Sequence, residues 1–379
     1  MKIAYSLSVF SVPGGTERMI SAQANWFAAH GYDVALILKN QEGKPLAFSL
    51  DERIKVVDLK VSEPISRRFP WHCAGLKAYR KKMAEHLMSA HYDIVLTTNI
   101  SENIYFLPNI KDGSKKIIEF HASIFLDRML SAQQRWTARL NAKLKERILV
   151  RNVRKCSHVV AISKADFEEW NRLASNAVRI PNVITVEPSA ISTCDNKEVI
   201  AAGRIDRLKG FEYLLDAWAL VLQRHPDWHL SIYGGVYTKS PYSKELADQV
   251  VRLHLPADTF KGNTDNIAAR YAESSIIVCS SRSESFSLVI VEAAACGVPA
   301  VSFDCPTGPR DIIEDGKTGF LVPKVGDVQG MAKALCRLIE DDALRKQMGA
   351  AAREASQRFS VDNVMHQWEQ LFAEVLNEK

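Results

Sequence analysis

No stretch of 18 consecutive uncharged apolar residues occurs in this 379-residue chain, so no transmembrane helix is expected. Seven cysteines, at 73, 156, 194, 279, 296, 305 and 336, form no C-x-x-C pair, and no histidines cluster at ligand spacing. That argues against a disulfide scaffold and a structural zinc site, and for the reduced thiols of a cytosolic protein. Cys296, inside Ala-Ala-Ala-Cys-Gly, reads as a small buried residue rather than a nucleophile. G-x-G-x-x-G is missing from both halves, so the fingerprint of a dinucleotide-dependent dehydrogenase is not met. Repeats with a 20–50 residue period and low-complexity segments are missing too. The opening "MKIAYSLSVFSVPGG" has one lysine, a short apolar region and no small-x-small cleavage pattern. A first strand is expected there, not a secretory signal.

What is present is the composition of a folded protein, 47% hydrophobic and 25% charged. The length suggests two domains rather than one core. Charge is unevenly shared: residues 1–185 hold 28 Lys and Arg against 17 Asp and Glu, leaving 21 against 27 for the rest. A basic first half suits an anionic partner, although solvated surface accounts for it as well.

Short β-rich runs alternate with helical ones. "KIAYSLSV", "YDVALIL", "IKVVDL", "YDIVLTT", "KKIIEFH" and "SHVVAIS" form a first series, with helical stretches at 16–30, 72–90 and 131–155. After "VRIPNVI" and the polar "TVEPSAISTCDNK", a second series runs through "EVIAAGRI", "WHLSIYGG", "DTFKGN", "SSIIVCSS", "PAVSFD" and "GFLV". Near-continuous apolar strands separated by helices predict parallel sheets covered on both faces. The expectation is an α/β protein of two doubly wound Rossmann-like domains, residues 1–185 and 186–355, with a final helix over 356–379.

In such sheets ligands bind beyond the carboxyl ends of the strands, so the loops there carry the chemistry. Gly14-Gly15, after the first strand, would let a ligand approach backbone amides at a helix start; a plain tight turn reads equally well. Gly203-Arg204 and Lys209-Gly210 place two cations between a strand and a helix, which suits a diphosphate, or simply a solvated turn. "SESFSLVIVEAAACG" sets two carboxylates, Glu284 and Glu292, around an apolar helix. Buried carboxylates need polar partners. Vicinal hydroxyls of a sugar and a ribose would supply them, with the amides of Ser285, Phe286, Ser287 and Leu288 at the helix start.

Taken together, these residues resemble glycosyltransferase family 4, retaining enzymes of the GT-B architecture, of the type that builds bacterial surface polysaccharides. The resemblance rests on E-x7-E at Glu284 and Glu292, G-R-x4-K-G at Gly203, Arg204, Lys209 and Gly210, and G-G-x-E at Gly14, Gly15 and Glu17. "VAISKAD" and "RIPNVI" are similar to segments before the family's hinge. The usual G-x-G-P loop reads "YGGVYTKSPYSKEL" here, a departure beside the nucleobase.

The resemblance implies two domains facing a cleft, and transfer of a hexose or N-acetylhexosamine from a nucleotide-sugar, UDP-linked, to a lipid-linked saccharide. Arg204 and Lys209 would hold the diphosphate in place of a metal, and no D-x-D motif contradicts that. Glu292 would bind the ribose, Glu284 the donor sugar, and His121 would line the cleft. Thr307 and Gly308, in "CPTGP", would hydrogen-bond near the donor. The final helix would cross back to the first domain. A sugar-nucleotide 2-epimerase of the same architecture and a non-catalytic sugar-binding protein are the competing readings.

Within 131–155, Arg135, Arg139, Lys143, Arg147 and Arg151 recur every four residues beside an apolar row of Trp136, Leu140, Leu144 and Ile148. The apolar row is expected to pack on the sheet and the basic row to face an anionic membrane. That places the enzyme in the cytoplasm, peripheral on the inner face of the membrane. No nucleic-acid partner is expected.

Overall fold

The computed structural model describes residues 1–65, 73–132, 136–235 and 240–378. Two compact units are formed: Met1–Val183 with Asp362–Lys379, and Ile184–Val361. The expected division at 185/186 falls two residues later than the observed one.

The first unit opens with β1 (Lys2–Leu7), α1 (Gly15–Ala29), β2 (Asp33–Leu38), β3 (Lys55–Asp58), α2 (Ala74–Ala90) and β4 (Ile94–Thr98). It continues with β5 (Lys115–Phe120), α3 (Ile124–Ala132), α4 (Trp136–Val153), β6 (His158–Ala161), α5 (Lys164–Ala174) and β7 (Ala177–Arg179). Its sheet has the order β3-β2-β1-β4-β5-β6-β7, with every pairing parallel. At least five successive residues are buried in each of β1, β2, β4 and β5. Helices on both faces require this, and it makes the strands readable as apolar runs.

The second unit contains β8 (Glu198–Ala202), α6 (Phe211–Leu222), β9 (His229–Tyr233), α7 (Pro241–Arg252), β10 (Phe260–Gly262) and α8 (Ile267–Ala272). Then come β11 (Ile276–Cys279), α9 (Leu288–Ala295), β12 (Ala300–Phe303), α10 (Pro309–Ile312), β13 (Gly319–Val322), α11 (Val328–Glu340) and α12 (Asp342–Ser356). Its strands run β10-β9-β8-β11-β12-β13, again parallel. One large cluster, with Trp218, Leu214 and Leu335 at its centre, fills the space between this sheet and α6, α7 and α11.

The last helix, α13 (Val361–Asn377), packs with the first unit. Phe372 stacks on Phe27 at 5.1 Å, Tyr32 donates to Glu369 at 2.7 Å, and Trp26 donates to Asp362 at 3.4 Å.

One expectation fails here. The apolar row of α4 does not pack on the sheet: Trp136, Leu140 and Leu144 are 71%, 56% and 45% exposed, and Ile148 is half-buried. The helix buries a different side, with Val153 fully enclosed and Leu149 and Val150 against the core of β5, β6 and α5. Arg135 lies outside the described residues, as does Val236–Lys239 of the unusual loop after β9.

Candidate functional site

The second sheet reverses its order between β8 and β11, and the loops after these two strands hold the residues singled out above. Beyond β8, Gly203 and Arg204 lead to Asp206, whose carboxylate accepts from the amides of Leu208 and Lys209 and starts a short turn over Arg207–Lys209. Gly210 closes it at φ +61°, and a Cβ there would lie 2.4 Å from the Ser280 carbonyl oxygen. Only glycine fits between the two loops.

This packing brings Lys209 Nζ to 2.7 Å from Glu284 Oε1, an ion pair across the switch point. Their side chains are 21% and 9% exposed. The same carboxylate oxygen accepts from Ser281 Oγ at 2.6 Å, and Ser280 Oγ donates to the Lys209 carbonyl at 2.9 Å. Burial alone would lower the Lys209 pKa, but the Glu284 carboxylate beside it turns the net shift upward. The lysine is therefore held as a cation. Arg204 is far more open, 62% exposed, with only Asp206 at 3.3 Å. Its guanidinium is the exposed charge of the loop.

After β11 the chain passes Ser285, Phe286 and Ser287 into α9. Phe286 is buried edge-on against Phe359 at 5.3 Å, which anchors the loop. Ser287 precedes α9 at φ +74°, and its side chain makes no capping hydrogen bond to the helix whose first residue is Leu288. Gly308, at φ +91°, lies so close that a Cβ would meet Phe286 backbone atoms at 3.0 Å. Thr307 is fully buried and its hydroxyl donates to the Glu284 carbonyl. That hydroxyl serves the loop rather than facing outward, because the "CPTGP" turn is packed beneath residues 284–286.

Glu292 is 2% exposed. Its oxygens accept from Thr185 Oγ1 at 2.9 Å and from Tyr271 Oη at 3.4 Å. Two hydroxyls of the chain thus satisfy a carboxylate inside an apolar helix, which is how its burial is tolerated.

In the first unit, Gly14 precedes α1 and Gly15 is its first residue. Glu17 folds back so far that a Cβ on Gly14 would meet its Oε2 at 2.4 Å. Burial raises the Glu17 pKa, against the opposing pull of its own backbone amide and of His121. His121 follows β5, its amide bound to Asn99 Oδ1 at 3.0 Å. Its Nε2 lies 3.3 Å from Glu119 Oε2 without hydrogen-bond alignment, and the ring is 4% exposed. Glu119 Oε1 in turn accepts from Gln23 Nε2 at 3.0 Å.

Glu119, Gln23 and Asn99 were not anticipated from the sequence. The signal for Glu119 was available: an acid inside the apolar strand "KKIIEF", two residues before His121 and so on the same face.

Among the described residues one trio, His225, Cys336 and Glu340, has donor atoms close enough for a metal. The guanidinium of Arg224 at 2.6 Å from Glu340 makes it an ion-pair cluster. It lies away from both loops described above in sequence and in element, on α6's end and α11.

Residues 13–187 match the family model Glycosyltransferase Family 4, and residues 189–355 match Glycosyl transferases group 1. An exopolysaccharide phosphotransferase from Streptomyces coelicolor is 28% identical over the whole of this chain, which spans 41% of that protein's length. The amylovoran biosynthesis glycosyltransferase AmsD from Erwinia amylovora is 25% identical, over 97% of this chain and 98% of AmsD. Among solved structures, HepE from Anabaena in complex with UDP-glucose matches with a TM-score of 0.75 and 22% identity. That match covers 99% of this chain and 100% of HepE, and is a likeness of fold.

Proposed function

The chain belongs to glycosyltransferase family 4, and from that premise we propose its reaction. It moves a hexose or N-acetylhexosamine from a nucleoside-diphosphate sugar, UDP-linked, to a lipid-linked saccharide, with retained anomeric configuration. The setting is the assembly of a surface polysaccharide (O-antigen, capsule or exopolysaccharide) at the inner face of the cytoplasmic membrane. The observation that carries the reading is the Lys209–Glu284 pair across the β8/β11 switch point, with the exposed Arg204 on the same loop.

In this reading Arg204 and Lys209 bind the diphosphate and take up charge as it leaves, the work a divalent cation does elsewhere. Glu284 and the amides of Ser285 to Leu288 receive the donor sugar, and Glu292 the ribose. Donor hydroxyls would compete with the partners that these carboxylates have in the free protein. The first unit offers His121 and the Gly14–Gly15 turn to substrate. The bond from the anomeric carbon to the diphosphate oxygen breaks, the acceptor oxygen bonds to that carbon on the same face, and its proton passes to the departing diphosphate.

Support for a UDP-linked donor comes from HepE, solved with UDP-glucose, and for a polysaccharide setting from AmsD, named for amylovoran biosynthesis. The test is incubation with a panel of nucleotide-sugars and lipid-linked acceptors, followed by analysis of the products. Labelled sugar on the acceptor with equimolar free nucleoside diphosphate is expected. Release of an isomerised sugar, free or still nucleotide-linked, without transfer would overturn the reading in favour of a 2-epimerase. Activity is expected to survive EDTA, and loss that Mg²⁺ or Mn²⁺ restores would refute the role given to the two cations.

A further inference from the structure

We infer that the outer face of α4 is a docking surface for an anionic lipid monolayer, into which its apolar residues insert while its cations hold lipid phosphates. Trp136, Leu140 and Leu144 follow one another at four-residue spacing and all are exposed, as is Leu130 at the end of α3 at 42%. Arg139, Lys143 and Arg147 fall at i+3 from them and Arg151 at i+7 from Leu144, so both sets share a single helix face. All four cations are exposed and have no acidic partner among the described residues. The one acid of α4, Glu146, is already held by Arg128 at 2.5 Å.

Three large exposed apolar side chains on one helix are a cost in water that a soluble surface avoids. An aromatic ring set among leucines and cations is the side-chain set of a helix lying at a bilayer interface, where Trp sits at headgroup depth. Toward its carboxyl end the helix borders a groove of about 590 Å³ lined by Lys143, Arg147, Arg151 and Arg154, by Val150 and Leu173, and by Glu146, whose charge Arg128 already meets. Phosphate at the rim and acyl chain toward Trp136 would match both parts. A second copy of the chain is disfavoured as the occupant, since a symmetric contact would bring these cations against one another. The apolar row makes the attachment more than electrostatic adsorption, and so only partly sensitive to salt.

The inference deepens the reading of a lipid-linked acceptor, and vesicle binding measured without any acceptor keeps the two separable. The full chain is sedimented with vesicles of phosphatidylglycerol and phosphatidylcholine, or of phosphatidylcholine alone, at low and high salt. Binding to the anionic vesicles is expected, reduced but not abolished by salt. Replacing Arg139, Lys143, Arg147 and Arg151 by Gln should weaken it by at least about a hundredfold. The double variant Trp136→Ser and Leu140→Ser should weaken it by about tenfold or more, and remove the part that resists salt. Brominated lipid should quench part of the tryptophan emission of the wild type but not of Trp136→Phe. All these positions are exposed, so each variant should keep the wild type's far-UV circular dichroism and the melting transition of the first unit, which certifies its fold. Equal binding to neutral vesicles, or undiminished binding by both variants, would overturn the inference. So would a wild-type dimer that the Trp136→Ser and Leu140→Ser change dissociates, which would assign the face to a second copy.

Discussion

The side chains of the donor loops occupy one another in the free protein, and this shapes what their removal does. Lys209→Ala deletes a cation for the diphosphate and also leaves the Glu284 carboxylate, 9% exposed, with Ser281 as its main partner. We expect kcat/KM for transfer to fall by at least about a hundredfold, roughly 2.7 kcal/mol, with a smaller loss of stability. Glu292→Ala should cost as much in transfer, because Thr185 and Tyr271 cannot replace a carboxylate toward a diol. Steady-state kinetics on variants shown to be folded checks both; near-wild-type turnover would remove these residues from the donor site. Glu17 offers a pH prediction. Burial raises its folded pKa above the unfolded value, so the neutral acid is the form the fold favours. The penalty is absent below the unfolded pKa and develops as pH rises through the folded one. Glu17→Gln carries no such penalty. Its melting temperature relative to wild type should therefore be lowest in acid, gain as pH rises from the unfolded to the folded pKa and level off above it, and a flat difference would contradict the assignment.

Among the elements, strands were far more legible than helix faces. The inner strands of the second sheet announce themselves as apolar runs, because covering both faces leaves little polar alternation to blur them, while the edge strand β10, Phe-Lys-Gly, carries no such signal. Helix α4 shows the opposite case. An apolar residue every fourth position reads the same whether it faces a sheet or solvent, and only the burial of Leu149, Val150 and Val153 on another side decides it. For the site, Arg204, Lys209 and Glu284 could be found because strand ends and glycines mark their loops. The contact of Glu119 with Gln23, 96 residues apart, could not. The glycines of those loops make a testable claim about element packing. A Cβ on Gly234, at the end of β9, would lie 1.8 Å from the Gly203 carbonyl oxygen, and one on Gly210 would lie 2.4 Å from that of Ser280. Both obstacles are backbone, and both positions have positive φ. Gly234→Ala and Gly210→Ala should each cost more than about 2 kcal/mol in urea unfolding of the second unit. A cost below about 0.5 kcal/mol would mean that these loops are not packed as described.

At the scale of the whole molecule, the chain is two cores whose boundaries do not follow chain order, since Asp362–Lys379 returns to the first unit. Stability should therefore divide by unit rather than by half of the sequence. Phe372 is fully buried and stacked on Phe27, so Phe372→Ala should cost the first unit about 3–5 kcal/mol although it lies 7 residues from the chain's end. UDP, placed by our proposal on the second unit, should stabilise that unit by about 2.7 kcal/mol at a hundredfold excess over its Kd. For a unit of this size that raises its melting temperature by roughly 5–10 °C. Calorimetry of the wild type and of Phe372→Ala, each with and without UDP, gives four traces. Two transitions are expected, with the substitution lowering only one and the nucleotide raising only the other. If the nucleotide moves the transition that Phe372→Ala lowers and leaves the second in place, its site belongs to the first unit and the roles given to Arg204, Lys209 and Glu292 fall. A single transition moved by both would show the two cores unfolding as one, and would refute the division of stability by unit.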